Sequence, residues 1–440
     1  MDVIEAIRNA GVVGAGGAGF PTHVKLGVHA ERVIVNGAEC EPLLRVDQLS
    51  MQRQADRVVR GLLLAMEAAH APEGVIATKR HYEKAVEALT QAIAGKPNLR
   101  LHLMESYYPS GDEKNVIFEV TGRVVPSGKL PIDTGCVVIN VGTAIAIANA
   151  ADGQPVTDKW VTLCGEVPQP MTLSVPIGAS MRETLRLGGF MGDEQEYALI
   201  VGGPCMGQLC RNWEDPITKT TGGLLVLKRT HPQIRMREMT MAQQARLARA
   251  ICCQCNRCTQ LCPRHAMGLP VEPHKAMRAL STGNGELLGN AAGVLACSSC
   301  GLCTNFACEM GLTPSIVMTQ LKQELGKAGI RPVPEENIAP DPWITLKEVP
   351  VTRLIARMHL SAYDVPAPFS DVTLAPGQVR IPLRQHVGKP AEPVVKAGDR
   401  VTRGQLIGRI PEKSLGAAVH ASIGGMVTEV SETAITIKCE

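Results

Sequence analysis

Aromatic residues make up only 3 % of the 440-residue chain, so its cores must be built mainly from Val, Ile, Leu, Ala and Met. No uninterrupted apolar run reaches the roughly 20 residues a membrane-spanning helix needs. The most apolar stretch, CVVINVGTAIAIANAA from Cys136, is broken by Asn140, Gly142 and Asn149 and reads as buried structure. Charge of one sign is not in excess either: 45 Lys and Arg face 42 Asp and Glu, a net charge of +3. The two signs are interspersed, which argues against a nucleic-acid partner. The opening MDVIEAIRNAGVVGAGGAGF has no basic segment followed by an apolar core, so no secretory signal is read and a reducing, cytoplasmic setting is expected.

Cysteine is abundant. Of 15 cysteines, nine crowd into ICCQCNRCTQLCP (251–263) and CSSCGLCTNFAC (297–308), a distribution that suits thiolate ligation better than disulfides in a large chain of this kind. Cys252, Cys255, Cys258 and Cys262, followed by Pro263, have the CxxCxxCxxxCP spacing of bacterial [4Fe-4S] ferredoxins, in which the fourth Cys serves the other cluster. Cys297, Cys300, Cys303 and Cys308 form a second set, although Cys308 follows a four-residue gap and Glu309 stands in place of Pro. Two [4Fe-4S] clusters are therefore expected, one on Cys252, Cys255, Cys258 and Cys308, the other on Cys297, Cys300, Cys303 and Cys262. Zinc is the alternative, because paired CxxC motifs also close tetrahedral sites. Cys253 is left as a spare thiol.

At this length several domains are expected. Helical periods alternating with strand-like ERVIVNG, GVIAT and LRLHLME imply an α/β domain with a largely parallel sheet over 1–150. Residues 155–230 read as a small α+β unit of the β-grasp type, 240–330 as a helical ferredoxin-like unit, 331–374 as a Pro-rich linker and 375–440 as a compact all-β unit. AGDRVTRGQLIG and HASIGGMV in the last unit resemble a lipoyl-type barrel-sandwich hybrid. Its tip reads Gly424-Gly425-Met426 and offers no Lys to modify, so packing or docking is expected of it.

GAGGAGF, from Gly14 to Phe20, is by itself an ambiguous turn or phosphate cradle. Together, GAGGAGFPTHVK, NGAECEP, YPSGDEK and INVGT resemble the flavin-binding domain shared by the 51-kDa NADH-oxidising subunit of respiratory complex I and the C subunit of the Rnf complex. The resemblance continues through a β-grasp (SLBB-type) unit and the cluster unit, over about residues 10–320. It implies a Rossmann-like FMN domain in which Gly14, Gly16, Gly17 and Lys25 hold FMN phosphate and ring, while Asn36, Glu39, Asn140 and Thr143 complete the site. Phe20, Glu41 and Glu113 fall where that family places NADH. Ala15 stands where the respiratory members carry Arg.

The barrel-sandwich unit precedes the flavin domain in Rnf C subunits but follows the clusters here. That order resembles the cobalamin reductases of propanediol-utilisation microcompartments. The resemblance implies electron flow from NADH through FMN and two [4Fe-4S] clusters to cobalamin, with no side chain acting as a general base. It also implies a cobalamin adenosyltransferase and a shell protein as partners, and a place inside a bacterial microcompartment. His23, His265, His274 and His420 are not expected to ligate cobalt. An Rnf-type NADH:ferredoxin subunit and a flavin-free electron-relay scaffold remain the alternatives.

Overall fold

The computed structural model describes residues 2–439. Val3–Asn9 (α1) and Thr22–Leu26 (α2) lead into Arg32–Gly37 (β1), Val46–Arg53 (α3), Ala55–Ala68 (α4), Glu73–Lys79 (β2), Glu83–Ile93 (α5), Leu99–Met104 (β3), Tyr107–Tyr108 (β4), Glu113–Thr121 (α6), Cys136–Asn140 (β5) and Val141–Ala151 (α7). The sheet is all parallel, in the order β3-β2-β1-β5. Continuous apolar runs such as Val33-Ile34-Val35 and Val137-Val138-Ile139 are what a sheet covered on both faces requires, and all six side chains are buried. The apolar run from Cys136 is thus a central strand and the helix that follows it. Gln54, with a φ of −133°, separates α3 from α4.

The second unit is a mixed sheet built from Asp158–Gly165 (β6), Met171–Pro176 (β7), Tyr197–Val201 (β8), Gln208–Leu209 (β9) and Gly223–Lys228 (β10), with Met181–Leu187 (α8) between β7 and β8. Its core closes around the fully buried Trp213. Short helices follow: Pro232–Glu238 (α9), Met241–Ile251 (α10), Arg257–Gln260 (α11), Pro263–Ala266 (α12), Pro273–Thr282 (α13), Ala291–Leu295 (α14) and Pro314–Lys327 (α15). Thr240 and Gln243 form a capping box that starts α10, satisfying backbone donors that the first turn leaves free.

The 331–374 segment does connect the cluster unit to the last unit, but it does so through packed elements rather than free chain. Val349–Pro350 (β11) pairs with β4, Val351–Arg357 (α16) follows, and Phe369–Ser370 (β12) adds to the edge of the second sheet beside β7. Each short strand finds backbone partners at an edge that would otherwise be open.

The C-terminal unit comprises Gln378–Pro382 (β13), Glu392–Pro393 (β14), Arg400–Val401 (β15), Leu406–Arg409 (β16), Val419–His420 (β17), Gly425–Val430 (β18) and Ala434–Lys438 (β19). Two antiparallel sheets, β13-β19-β18-β15 and β14-β16-β17, enclose Val379, Ile381, Ile407, Val427 and Ile435. The unit packs on the N-terminal glycine loop, where Val387 N–H donates to the Gly19 carbonyl at 3.1 Å. Lys219 of the second unit reaches the carbonyls of Gly11 (2.6 Å) and Ala418 (2.7 Å), tying three units at one point. Burial pushes its ammonium down to about 7. Among the described residues no helix is long and apolar enough to cross a membrane.

Candidate functional site

A cavity of about 570 Å³ opens over the ends of β1 and β5, within the ~300–1,000 Å³ usual for small-molecule sites. Its floor is the Gly14–Gly19 loop, closed on itself by a Gly14 N–H to Phe20 carbonyl bond of 2.9 Å. Asn140 caps α7 by accepting from Gly142 N–H at 2.8 Å and donates to Asp47 at 2.8 Å. Thr143 Oγ1 accepts from Ala15 N–H at 2.9 Å, so the start of α7 holds the glycine loop in place. A Cβ at Gly16 would stand 2.8 Å from the Asn140 amide nitrogen, whereas one at Gly17 would meet nothing within 4 Å. The loop is therefore tight behind and open in front, which fits a flat ring or phosphate lying against bare backbone.

The remaining expected residues converge here. Asn36 donates to the Gly111 carbonyl (2.8 Å) and accepts from Ala38 N–H (3.1 Å), joining β1 to the Gly111–Glu113 turn. Lys25 and Glu113 form an ion pair of 2.6 Å at the rim, and Phe20 is 37 % exposed there. Glu39 accepts from Asp47 N–H at 2.6 Å. Burial, then the Asp47 charge, pushes the Glu39 carboxyl up, and burial likewise raises Asp47.

Glu41 lines the cavity, but both its oxygens are occupied by backbone donors, Cys205 N–H at 2.8 Å and Met206 N–H at 2.9 Å. In this structure it clasps the first unit to the second. Burial pushes its carboxyl from 4.5 up to about 7. A raised acid keeps its proton in the folded state where the unfolded chain has lost it, so stability falls as pH rises through that window. Glu41→Gln is accordingly expected to flatten the dependence: between about pH 4.5 and 7 the parent should lose Tm relative to the variant, as read by scanning calorimetry.

Sequence reasoning missed Asp47, Lys79, Cys40 and Lys159. Lys159 Nζ donates to the Ala15 carbonyl at 3.0 Å, Lys79 Nζ to the Glu39 carbonyl at 2.8 Å, and Cys40 Sγ accepts from Gly111 N–H at 3.0 Å. Only Cys40 carried a signal, by standing between Glu39 and Glu41. Lys159 comes from the start of β6 in the next unit, which no local pattern connects to the glycine loop.

Ser298 and Cys300 also line this cavity, so one cysteine segment forms part of its wall. Two contacts hold it there. Tyr108 O–H donates to the Cys300 carbonyl at 2.5 Å, and Asp112, which caps α6, pairs with Arg264 at 2.8 Å, both side chains being nearly buried. Arg264 is two residues from Cys262, so the flavin-type loop YPSGDEK grips the cysteine unit directly.

The two CxxCxxC loops share one backbone shape. Gln254 and Asn256 in the first, and Ser299 and Gly301 in the second, adopt left-handed φ of 55°, 66°, 57° and 79° at equivalent positions, curling each loop around its own centre. Burial, then the charges of Cys308, Cys255 and Cys252, pushes the Cys258 thiol up to about 12. Burial, then Cys297 and Cys300, raises Cys262. Cys308 is thus near enough to Cys258 to act on it, and Cys297 and Cys300 near enough to act on Cys262. Among the described residues no three His, Cys, Asp or Glu side chains converge at single-ion distance; a cube with iron at its corners holds its thiolates farther apart than one ion does. Cys262, Cys300 and Cys303 are buried, while Cys255 and its neighbour Cys253 are exposed.

A glycine-loop cavity over a parallel sheet, walled by one of two ferredoxin-type cysteine sets, defines a flavin iron–sulfur oxidoreductase. Residues 7–149 match the family model of the Nuo51 FMN-binding domain, 251–313 that of the 4Fe-4S dicluster domain, and 368–439 that of the RnfC barrel sandwich hybrid domain. The chain is 44 % identical over 438 residues to cobalamin reductase PduS of Salmonella typhimurium, covering 99 % of this chain and 96 % of that one. It is 42 % identical to cobalamin reductase PduS of Citrobacter freundii, covering 98 % and 95 %. The C subunit of the Na(+)-translocating ferredoxin:NAD(+) oxidoreductase complex of Acetobacterium woodii is 37 % identical over 60 % of this chain and 58 % of that one. The chain belongs to the cobalamin reductase PduS family and is an oxidoreductase.

Proposed function

We propose that the chain takes electrons from NADH and delivers them to cobalamin, carrying Co(III) to Co(II) and on to Co(I) for a cobalamin adenosyltransferase. The single observation that carries this reading is the shared wall: Cys300 and Ser298 line the same cavity as the Gly14–Gly19 loop. Gly14, Gly16, Gly17 and Lys25 would hold FMN, with Asn36, Glu39, Asn140 and Thr143 around it. Cys252, Cys255, Cys258 and Cys308 would hold one [4Fe-4S] cluster, and Cys262, Cys297, Cys300 and Cys303 a second. Bound together, these groups supply the conversion of a two-electron hydride donor into single-electron transfers.

The chain's own residues position that chemistry. Tyr108 and the Asp112–Arg264 pair hold the cysteine wall against the cavity, and Val387 of the C-terminal unit backs the glycine loop. Phe20 and Glu113 at the rim face the side from which a nicotinamide nucleotide would enter. The 155–230 unit belongs on this reading to the β-grasp (SLBB-type) class, between an FMN domain over 1–150 and a cluster domain over 240–330. The place of work is a microcompartment interior, with a shell protein as neighbour.

The test is anaerobic reconstitution with iron, sulfide and FMN, followed by NADH-driven reduction of hydroxocobalamin monitored by its visible spectrum. Reduction is expected; its absence in fully loaded protein would overturn the acceptor. Lys25→Ala should retain FMN about tenfold more weakly, the loss of one charge-assisted phosphate contact, as measured by flavin released on dialysis.

A further inference from the structure

A second cavity, of about 760 Å³, lies on the other side of the same cysteine loop. Its walls come from the edge strand β9, the loop before it, the turn after Cys303 and the start of α15. Met206 and Gly207 line both cavities, so the two stand back to back across the 203–207 loop. The cysteine loop divides them in the same way: Ser298 and Cys300 face the first cavity, while Ser299, Thr304 and Asn305 line the second. The loop that carries Cys300 thus stands between two chambers, and only one of them carries the glycine loop.

Much of the second chamber's wall is satisfied internally. Thr304 bonds Ser315, and Thr319 bonds Ser299. The carboxylates of Glu194 and Glu238 are paired with Arg182 and Arg229, and Arg237 is taken up by Gln233 and the Pro204 carbonyl. What is left over points to a ligand. Asn305 is 7 % exposed and its Oδ1 has no partner among the described residues. A buried carbonyl without a donor is destabilising, so the chain carries an acceptor that a ligand amide would satisfy. Gln208 lies on the exposed β9 edge, its amide nitrogen donating to the Met206 carbonyl at 3.3 Å and its amide oxygen turned to no donor among the described residues, and Arg211 is in no ion pair among the described residues. A rim of amide and hydroxyl groups with an unpaired guanidinium is complementary to a macrocycle edged with primary amides and carrying one phosphodiester. That is the chemistry of a corrinoid.

We infer that this chamber is the docking site of the corrinoid electron acceptor, held by its edge amides at Asn305 and Gln208 and by its phosphodiester at Arg211. The inference rests on the cobalamin-reductase reading above and adds the place. The chemistry served there is one electron per cobalt: hydroxocobalamin, an electron and a proton give cob(II)alamin and water. One NADH supplies two such electrons and leaves as NAD+, and its own proton with one from solvent completes two turnovers. An acceptor in this chamber needs no displacement of the nucleotide or of the flavin, because the 203–207 loop keeps the chambers apart.

Equilibrium dialysis of hydroxocobalamin against reconstituted full-length protein tests the site without relying on turnover. Asn305→Leu, Gln208→Leu and Arg211→Ala, each with iron and FMN contents matching the parent, are expected to bind about tenfold more weakly, the scale of one lost hydrogen bond or charge contact. Gln208 and Arg211 lie at the edge of the fold, so they remain informative should Asn305→Leu fail to load its clusters. Ile251→Glu, on the exposed face beside Cys253, is expected to leave binding unaltered. Parent-like binding in all loaded cavity variants, or weakening by Ile251→Glu alone, overturns the location while leaving the acceptor standing. Failure of the parent to reduce hydroxocobalamin overturns the acceptor itself.

Discussion

Cys300→Ser is expected to reduce NADH-driven cobalamin reduction at least about 100-fold, the upper end of the effect of losing a mere supporting contact at a metal site. Serine keeps the size of the side chain and removes the thiolate proposed as the ligand. Cys300 is singled out because it is the cluster-type cysteine whose residue lines the glycine-loop cavity, held there by Tyr108 through its carbonyl. Bleaching of the flavin by NADH should survive in the variant, since the glycine loop, Lys25 and Asn140 are untouched. Stopped-flow absorbance separates the two steps, and iron analysis should show loss from one cysteine set. Cys253→Ser is the control: Cys253 is exposed, stands beside the proposed ligand Cys252, and its replacement should keep iron content. Undiminished cobalamin reduction by Cys300→Ser would mean that electrons leave the flavin cavity by another wall.

Gly61→Val should have the largest effect on folding, about 3 kcal/mol or more of destabilisation, beyond the usual overpacking range because backbone rather than a side chain is struck. A Cβ at Gly61 would lie 1.8 Å from the Ala144 carbonyl oxygen and 2.5 Å from its carbon. Backbone atoms of α7 cannot rotate away, so α4 and α7 would have to separate. That displacement reaches the site, because α7 begins at Asn140, and Gly142 and Thr143 in its first turn position the glycine loop. Calorimetry should show a lowered transition for the N-terminal unit, and the same protein should retain less FMN. A parent-like transition with full flavin content would contradict the close helix crossing.

Features carried by neighbours along the chain are legible in the sequence. The two-residue gaps of the CxxCxxC runs bring three thiols within reach of one centre, and the same gaps recur with left-handed residues at equivalent positions in both loops. The glycine loop, the alternation of helix and strand over the first 150 residues, and the apolar run that becomes β5 and α7 are equally local. Gly424-Gly425-Met426 announces a barrel-sandwich tip with nothing to modify.

Spacing proposed that Cys262 and Cys308 change places, and the neighbouring charges felt by each thiol, Cys252 and Cys255 at Cys308 and Cys297 and Cys300 at Cys262, are in keeping with that proposal. Glu41 falls by resemblance where the flavin family places NADH, yet the packing of the second unit gives it two backbone donors. Lys159 enters the cavity from another unit, and a stretch composed like a linker lends strands to two sheets. Local spacing therefore determined which residues can hold iron and flavin, because ligand geometry and tight turns depend on a few bonds of chain. Which wall faces which cavity and what closes the site were decided only by tertiary packing, because those contacts join residues 100 to 200 positions apart and depend on surfaces no single segment contains.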